Sequence, residues 1–327
     1  MSNEILQYLN EHRIPYERNV DLKKHTWIHC GGVAGLWIAP DTCAQMVELC
    51  KYLYEIKADF KIVGHTSNIY FKNTYNPSIL VSTAKLTRFG IEAAYLRCEC
   101  GVSVKTLSAY AIENGYKGFE GLIDLPGTIG AAICNNSGCY QCSVAAMLHH
   151  IDFLTPEGQV VELTKDELLY SERSSALKRG ELQGVVVNIY LIVQKADDPE
   201  ALAQQAKRNH THRQTYQEKP ANTLGSIFPM SVYKAFEANL SFGTKTLIRG
   251  LYLLRRLHCL SDHQFTKRKR DSILLCNGLW CIRNYVSEYT FNTFIWKDEG
   301  AARAFEQYRA FVQKTAHCDQ IEIEIIQ

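Results

Sequence analysis

Two stretches, one rich in glycine and one in small polar residues, carry the residue types best suited to holding a large anionic ligand. In the stretch that comes later in the chain, Gly127 and Gly130 bracket Thr128 and Ile129 directly after Pro126. Glycines permit a tight turn and expose successive backbone N–H groups, which can line an anion. Taken alone, such a loop is equally well interpreted as a plain turn under a core strand. A second loop of the same kind in the chain would favour the ligand interpretation.

The earlier stretch provides that second loop. It reads GHTSN over residues 64–68 and directly follows Phe60–Val63, whose apolar pattern predicts a short buried strand. Its small polar residues offer hydroxyls and backbone amides to phosphate oxygens. Two phosphate-binding loops in one chain predict a dinucleotide ligand.

The surrounding sequence predicts the elements that would position these loops. Residues 36–63 read as a strand, a helix and a strand, with Asp41 as the helix cap. Residues 104–114 predict a helix that ends at Gly115, and residues 151–163 predict a hairpin. The apolar run at 184–193 predicts a buried strand, and a further helix is predicted over residues 200–210.

The order of these motifs resembles a known family. A strand followed by GHTSN, and then GLIDLPGTIGAAICNNSGCY at 121–140, resembles the flavin-binding half of the UDP-N-acetylenolpyruvoylglucosamine reductases, the MurB family. The resemblance implies an α+β fold: a two-subdomain PCMH-type FAD-binding module at 1–78 and 79–215, then a smaller α+β substrate domain at 216–327. It assigns FAD binding to Gly64, His65, Thr66, Ser67, Asn68, Pro126, Gly127, Thr128, Gly130, Ala131, Asn136, Gly138 and Tyr140. A covalent bond from His65 to the flavin is an alternative, and a non-covalent flavin is favoured.

Arg173 opens the segment RSSALK at 173–178. A lone arginine is most often a solvated surface charge that contributes little. The segment is similar, however, to the family's arginine-x-serine motif. The resemblance implies that Arg173 holds the enolpyruvyl carboxylate of the substrate, for which a guanidinium has the right shape and charge.

Ser226 follows Gly225, and on its own it reads as a turn residue, because no Gly-x-Ser-x-Gly elbow surrounds it. The resemblance makes Ser226 the proton donor and makes Arg213 and Gly225 substrate-binding residues. Residues 229–231 read Pro-Met-Ser, where the family usually has Lys-Asn-Pro, so the chain departs from the family at part of the substrate contact.

Residues 321–326 alternate glutamate and isoleucine, which predicts a strand with both glutamates on one face. Such acids are more often solvated than catalytic. The family's C-terminal motif aligns Glu324, rather than Glu322, with its active glutamate.

The implied reaction is a two-step reduction. NADPH reduces FAD, and the flavin then reduces the enolpyruvyl ether of UDP-N-acetylglucosamine enolpyruvate in peptidoglycan synthesis. Arg173 and Glu324 would stabilise the charge that forms, and Ser226 would supply the proton.

The composition argues against several other functional classes. The net charge is +2 among 327 residues, whereas a nucleic-acid-binding protein would be more basic. The sequence predicts no membrane span and no signal peptide, and we expect a cytoplasmic monomer. Its twelve cysteines are expected to be mostly small buried hydrophobes. The spacing Cys134-x4-Cys139-x2-Cys142 leaves an iron–sulfur cluster as a less favoured alternative, and we predict no metal.

The resemblance fails over residues 233–289, which contain a basic amphipathic helix at 245–257 and the run KRKR at 267–270. These charges either form a solvated face or bind an anionic partner. Two hypotheses follow. The chain is either an active MurB reductase, or a flavin-binding relative with a rebuilt substrate domain that acts on another nucleotide sugar or lacks catalysis.

Overall fold

The computed structural model describes residues 2–219 and 222–327, and helices alternate with strands along the chain. The helices are α1 (Ser2–Glu11), α2 (Leu22–His25), α3 (Cys43–Glu55), α4 (Val104–Glu113), α5 (Ile129–Asn135), α6 (Val144–Met147), α7 (Pro199–Tyr216), α8 (Met230–Ala238), α9 (Phe242–Arg256), α10 (Asp262–Cys276) and α11 (Ala301–Ala316). The strands are β1 (Tyr16–Asp21), β2 (Val33–Ile38), β3 (Phe60–Val63), β4 (Ile69–Phe71), β5 (Ile79–Ser82), β6 (Phe89–Glu92), β7 (Tyr95–Glu99), β8 (Gly138–Cys139), β9 (Cys142–Ser143), β10 (Leu148–Leu154), β11 (Val160–Thr164), β12 (Val185–Ile192), β13 (Thr223–Ser226), β14 (Thr293–Ile295) and β15 (Glu324–Ile326). Short 3-10 helices lie at Asp166–Leu168 and Trp280–Tyr285.

These elements form two compact units, each made from separate pieces of the chain. The first unit comprises Met1–Thr26, Gly31–Thr66 and Asn73–His210. The second comprises Trp27–Cys30, Ser67–Lys72 and Thr211–Gln327. The division at residues 78 and 215 that the resemblance implies stays a prediction.

The first sheet of the first unit has the strand order β1-β2-β5-β3. Its central pairs, β2 with β5 and β5 with β3, are parallel, so β3 ends beside the end of β5 and leads directly into residue 64. Leu9 of α1 and Leu49 and Leu53 of α3 are fully buried in the core of this sheet. This confirms the predicted strand–helix–strand over 36–63.

Helix α3 begins one residue later than the prediction. Thr42, not Asp41, is its N-cap, because the Thr42 side chain accepts a hydrogen bond from the amide of Gln45 at 3.2 Å. Asp41 instead forms an ion pair with Lys85 at 2.7 Å. Both residue types are good caps, so local sequence alone does not distinguish them.

The second sheet of the first unit is antiparallel throughout, with the order β11-β10-β12-β7-β6. The predicted hairpin at 151–163 and the buried strand at 184–193 are confirmed as β10–β11 and β12. Helix α4 ends as predicted, with Gly115 in the left-handed region at φ 68°. The core of this sheet includes Leu96, Ile151 and Ile189, all fully buried.

The second unit surrounds an aromatic core in which Phe228, Phe236, Phe294, Phe305 and Tyr308 are fully buried. Its two small sheets pair β13 with β14 in antiparallel fashion and β15 with β4 in parallel. The predicted C-terminal strand is confirmed but begins at residue 324 rather than 321. Helix α7 is longer than the prediction and extends to residue 216.

All twelve cysteines lie in the described part of the chain, and all are free thiols. Cys50 and Cys98 are buried as predicted, and burial raises the pKa of the Cys98 thiol to about 12. Only Cys50, Cys98 and Cys100 are buried, six others are half-buried, and Cys259, Cys276 and Cys281 are exposed, so the prediction of mostly buried cysteines is wrong. Among the described residues, no group of three or more His, Cys, Asp or Glu side chains is placed to hold a metal ion. Over the same residues, no helix has the length and apolarity needed to cross a membrane.

Candidate functional site

Within the first unit, residues 64–66 of the first predicted loop lie against residues 126–130 of the second. A Cβ atom added to Gly64 would overlap the Thr128 hydroxyl and would lie 3.0 Å from Thr128 Cγ2. Real Cβ atoms essentially never come closer than that. Residues 64 and 128 are therefore close because position 64 lacks a side chain, and the two predicted loops form one surface.

Two backbone amides of the second loop form hydrogen bonds within the protein, whereas the prediction had them facing a ligand. The Ile129 amide donates to the carbonyl of Val102 at 2.8 Å, and the Gly130 amide donates to the carbonyl of Cys100 at 2.9 Å. These two N–H groups are already paired within the protein, so the predicted run of ligand-facing amides is wrong at both positions. Gly130 instead permits close packing, because an added Cβ would lie 2.9 Å from Cys100 Cβ.

Helix α5 links the second loop to Asn136. Thr128 caps the helix, with its hydroxyl 3.4 Å from the amide of Ala131, and Asn136 ends it in the left-handed region at φ 47°. The Asn136 side-chain amide donates to the carbonyl of Ser171 at 2.7 Å. Among the described residues, the buried Oδ1 atom of Asn136 has no hydrogen-bond partner.

Arg173 lies beside the same segment. One guanidinium nitrogen is 3.4 Å from the Asn136 carbonyl oxygen, and the Lys178 ammonium donates to the Arg173 carbonyl at 3.1 Å. Arg173 itself has a positive φ of 55°, which is uncommon for a residue with a long side chain. Strained backbone of this kind is often found at functional sites. The first unit thus brings Arg173 together with the predicted FAD-binding loop.

Gly138 and Tyr140 belong to a tight hairpin. Strands β8 and β9 pair across the two residues Tyr140 and Gln141, which have φ values of 48° and 65°. Two positive φ angles in a two-residue loop are the signature of a type I′ turn. The turn places Tyr140 at the tip of the hairpin that follows α5.

His65 lies in the first loop and is partly buried. Burial lowers the pKa of its imidazole below the ordinary value of 6.5, because the charged form loses solvation. The neutral form of His65 is therefore favoured in the folded protein. Thr66, the next residue, is buried in the left-handed region at φ 55°.

We expect this histidine to make the protein less stable in mild acid. As pH falls below about 6.5, the unfolded chain takes up a proton at this residue before the folded chain does, so the free energy of unfolding decreases. The H65Q variant should therefore lose less thermal stability than the wild type between pH 7.5 and pH 5. The exchange H258Q, at an exposed histidine, serves as the control and should leave the pH dependence unchanged. If the thermal stability of H65Q and of the wild type falls by the same amount between pH 7.5 and pH 5, His65 is not the cause of the acid sensitivity.

The second unit contains Ser226 and Gly225 at the end of β13. Ser226 is exposed and opposes Thr293, and Gly225 has a φ of 77°, a conformation that favours glycine. The following residues are held by Asn292, which the sequence prediction missed. Its side chain accepts a hydrogen bond from the Phe228 amide at 3.0 Å and donates one to the Phe228 carbonyl at 2.8 Å.

Asn292 is buried, so removing its side chain leaves two buried backbone groups of Phe228 without partners. We expect N292A to lower the free energy of unfolding by about 2–6 kcal/mol, since each of the two unpaired buried groups costs roughly 1–3 kcal/mol. Urea unfolding followed by fluorescence measures this effect. The control N239A changes an exposed helix-terminal asparagine and should cost less than about 1 kcal/mol. If N292A and N239A lower the free energy of unfolding equally, the Asn292 side chain does not hold Phe228 in place.

Glu324 begins strand β15 in the same unit. Its amide donates to the carbonyl of Asn68 at 2.9 Å, and the Asn68 side chain donates to the carbonyl of Glu322 at 3.3 Å. The Glu322 amide in turn donates to the carbonyl of Ile227 at 2.8 Å. The C-terminal segment is thereby bonded both to the residue after Ser226 and to the last residue of the GHTSN loop.

The remaining predicted residues divide between the units. Arg213 lies on α7 in the second unit, where it donates to the Gln217 side chain at 3.2 Å. Pro126 is exposed and Ala131 is half-buried in the first unit, and Ser67 belongs to the second. Arg173 is in the first unit, whereas Ser226 and Glu324 are in the second. The convergence of these three side chains stays a prediction.

Known proteins share both the sequence and the fold of this chain. Residues 34–164, which include both loops, match the FAD binding domain family. A UDP-N-acetylenolpyruvoylglucosamine reductase from Caldicellulosiruptor saccharolyticus is 26% identical over 220 residues, covering 67% of this chain and 71% of the relative. A reductase of the same name from Exiguobacterium sibiricum is 29% identical over 216 residues, which cover 64% of this chain and 68% of the relative. The crystal structure of this reductase, MurB, from Thermus caldophilus aligns with 96% of this chain and 100% of its own, with a TM-score of 0.66 and 18% identity. In sequence and in fold the chain is similar to the MurB reductases.

The likeness to the Thermus caldophilus structure and the match to the FAD binding domain confirm the α+β, PCMH-type fold that the motifs implied. The relatives are named as reductases, and the match to the FAD binding domain supports the predicted cofactor.

The residues present fit an FAD molecule at the loops. At position 64 any side chain would fill the space where the two loops meet, and the buried Asn136 Oδ1 can accept a hydrogen bond that no described residue donates. A buried acceptor of this kind normally has a partner. Together with Arg173, these features make the surface formed by the two loops the candidate cofactor site.

Proposed function

We propose that this chain reduces the enolpyruvyl ether of UDP-N-acetylglucosamine enolpyruvate to UDP-N-acetylmuramate, with NADPH as the reductant. The observation that carries the proposal is the position of Arg173, whose guanidinium is hydrogen-bonded to Asn136 at the end of the FAD-binding segment. A cation that binds carboxylates is thus attached to the cofactor loop. The names of the relatives support the same substrate and its place in peptidoglycan synthesis.

FAD, when bound, accepts hydride from the nicotinamide and supplies hydride to the methylene carbon of the enolpyruvyl group. The residues that would hold it are those of the two loops, in particular Gly64, Thr128, Asn136 and Tyr140. Their part is to bind and orient, which fixes the reacting atoms in the geometry that the reaction requires.

Arg173 would bind the substrate carboxylate. As hydride reaches the methylene carbon, negative charge grows on the neighbouring carbon and spreads into the carboxylate. A guanidinium held there in advance stabilises that charge more in the transition state than in the ground state. Its planar fork also matches the two carboxylate oxygens.

Ser226 would then donate the proton from its Oγ atom to the carbon next to the carboxylate, and Glu324 would stabilise the charge that grows on the enolpyruvyl group. Hydride at one carbon and a proton at the other together convert the enolpyruvyl ether to the lactyl ether. A serine hydroxyl is a weak acid, so the step requires a strongly basic carbon and a site from which water is excluded.

One feature favours a second candidate, a flavoprotein with a rebuilt substrate domain. Helix α8 begins at Met230, where the MurB motif continues with substrate-binding residues, and Pro229 is its N-cap. Residues 229–231 are Pro, Met and Ser, so they cannot supply the lysine and asparagine of the family. This candidate binds FAD but acts on another nucleotide sugar or on none.

The two candidates are separated by anaerobic spectroscopy. We expect the purified protein to show the absorption bands of a flavin, which NADPH bleaches. Adding UDP-N-acetylglucosamine enolpyruvate should restore the bands as the flavin is reoxidised. A protein that bleaches but does not recover supports the second candidate, and a colourless protein that takes up no added FAD would contradict both.

A further inference from the structure

Helix α9 of the second unit carries an apolar strip that faces away from the core. Phe242, Leu253 and Leu257 are 81%, 58% and 61% exposed. With 3.6 residues per turn, these positions fall along one side of the helix and its C-terminal end. Thr244 and Ile248, which are buried, lie on the opposite side. The strip is therefore not the face that attaches the helix to its unit.

The same helix has an unusual charge pattern. Its sequence, FGTKTLIRGLYLLRR, contains four basic residues and no acidic one. Arg255 is paired with Asp262 at 2.9 Å, and the Lys245 ammonium donates to the Ala238 carbonyl at 2.6 Å. Arg249 and Arg256 are exposed and form no hydrogen bond or ion pair with any residue in the described ranges. Their helical positions place them along one edge of the apolar strip.

The neighbouring helix α10 does not share this character. In its KRKR run, Lys267 contacts Glu288 at 3.0 Å, Lys269 is paired with Glu237, and Arg270 contacts Asp271 at 2.6 Å. Acidic side chains thus neutralise most of the run that the sequence suggested as a basic site. The unneutralised positive charge beside an apolar surface belongs to α9.

We propose that α9 docks the protein on an anionic lipid surface. A helix with arginines beside a strip of Phe and Leu binds such a surface by inserting its apolar side chains, while its cations approach the lipid phosphates. At 15 residues the helix is too short to span a bilayer, so the association is peripheral.

Two features of α9 favour lipid over a second protein. Pairing two copies through α9 would bring Arg249 and Arg256 of each toward the other, with no acid on the helix to offset the repulsion. The strip is also interrupted at Gly243 and Gly250, where an added Cβ would meet nothing within 4 Å. The acyl chains of a fluid lipid layer conform to such gaps, so no complementary partner surface is needed to fill them.

Sedimentation of the full-length protein with vesicles tests the proposal. We expect binding to vesicles of phosphatidylcholine with phosphatidylglycerol and little binding to phosphatidylcholine alone. The variant R249E/R256E should bind the anionic vesicles at least about 10-fold more weakly, as should L253E/L257E, and high salt should weaken the wild type. As matched controls, R303E reverses an exposed arginine on α11 and V160E changes an exposed valine on β11; both should bind like the wild type.

Thermal unfolding of each variant verifies that the fold is intact, and R249Q/R256Q, which removes charge without adding any, replaces a variant that unfolds. Equal binding by wild type and both double variants would overturn the proposal. So would binding that does not depend on phosphatidylglycerol. A dimer in light scattering that L253E/L257E dissociates would assign the strip to a second copy instead.

Discussion

Replacing Ser226 with alanine is expected to slow reoxidation of the reduced flavin by the enolpyruvyl substrate by about 100-fold or more, the usual cost of removing a positioned proton donor. Reduction by NADPH should be unchanged, because the proposed role of Ser226 begins only after hydride reaches the substrate. Stopped-flow absorbance of the two half-reactions measures both rates. The side chain is exposed, so the variant should fold normally.

A serine elsewhere in the second unit supplies the control. Ser272 lies half-buried on α10, and S272A removes the same hydroxyl without touching the proposed site. Both half-reactions of S272A should match those of the wild type. If S226A also reoxidises at the wild-type rate, the proton comes from another group.

Substituting alanine for Gly64 is expected to weaken FAD binding at least about 10-fold and to lower thermal stability. The added methyl overlaps the Thr128 side chain, so either that side chain or one of the two loops must shift, and a shift in packed structure typically costs about 1–3 kcal/mol. Titration of the apoprotein with FAD, followed by flavin fluorescence, measures the affinity. This test concerns the cofactor site alone and does not depend on the identity of the substrate.

Gly90 offers a matched control in the same unit. An alanine Cβ at this position on β6 would meet nothing within 4 Å, so G90A makes the same chemical change without a clash. It should bind FAD like the wild type. Similar losses in G64A and G90A would show that glycine replacement in general, rather than contact between the loops, causes the effect.

The sequence predicted the elements whose signals are local. The strand at Phe60–Val63 and the helix ending at Gly115 have patterns contained within a few residues, and both are confirmed. The contact of Gly64 with Thr128 was only implied, because two loops far apart in sequence must be folded before their distance is fixed. The same holds for the amides of Ile129 and Gly130, whose partners Val102 and Cys100 come from another part of the chain.

The partners of charged side chains were predicted least well, because residues that pair in the folded protein are often far apart in sequence. The sequence left a solvated face and an anion-binding site open for the run KRKR, and Glu237 and Glu288, which neutralise much of it, are distant in sequence. Asn292 was missed for a similar reason. A single asparagine before the strand at Thr293–Ile295 carries no local sign that its amide holds Phe228.

The parallel pairing of β15 with β4 also affects the order of events during synthesis. At ribosomal rates of about 5–20 residues per second, Ile69 emerges on the order of ten seconds or more before its partner Glu324 exists. Throughout that interval β4 has an unpaired edge available to any passing strand, which is a hazard for aggregation. Only the nascent second unit is exposed to this delay, because all three sheets of the first unit are complete once residue 192 has been made. We therefore expect a higher yield of folded protein from expression at lower protein concentration, or with a chaperone that binds exposed strand edges. Lengthening the C-terminus should improve the yield less.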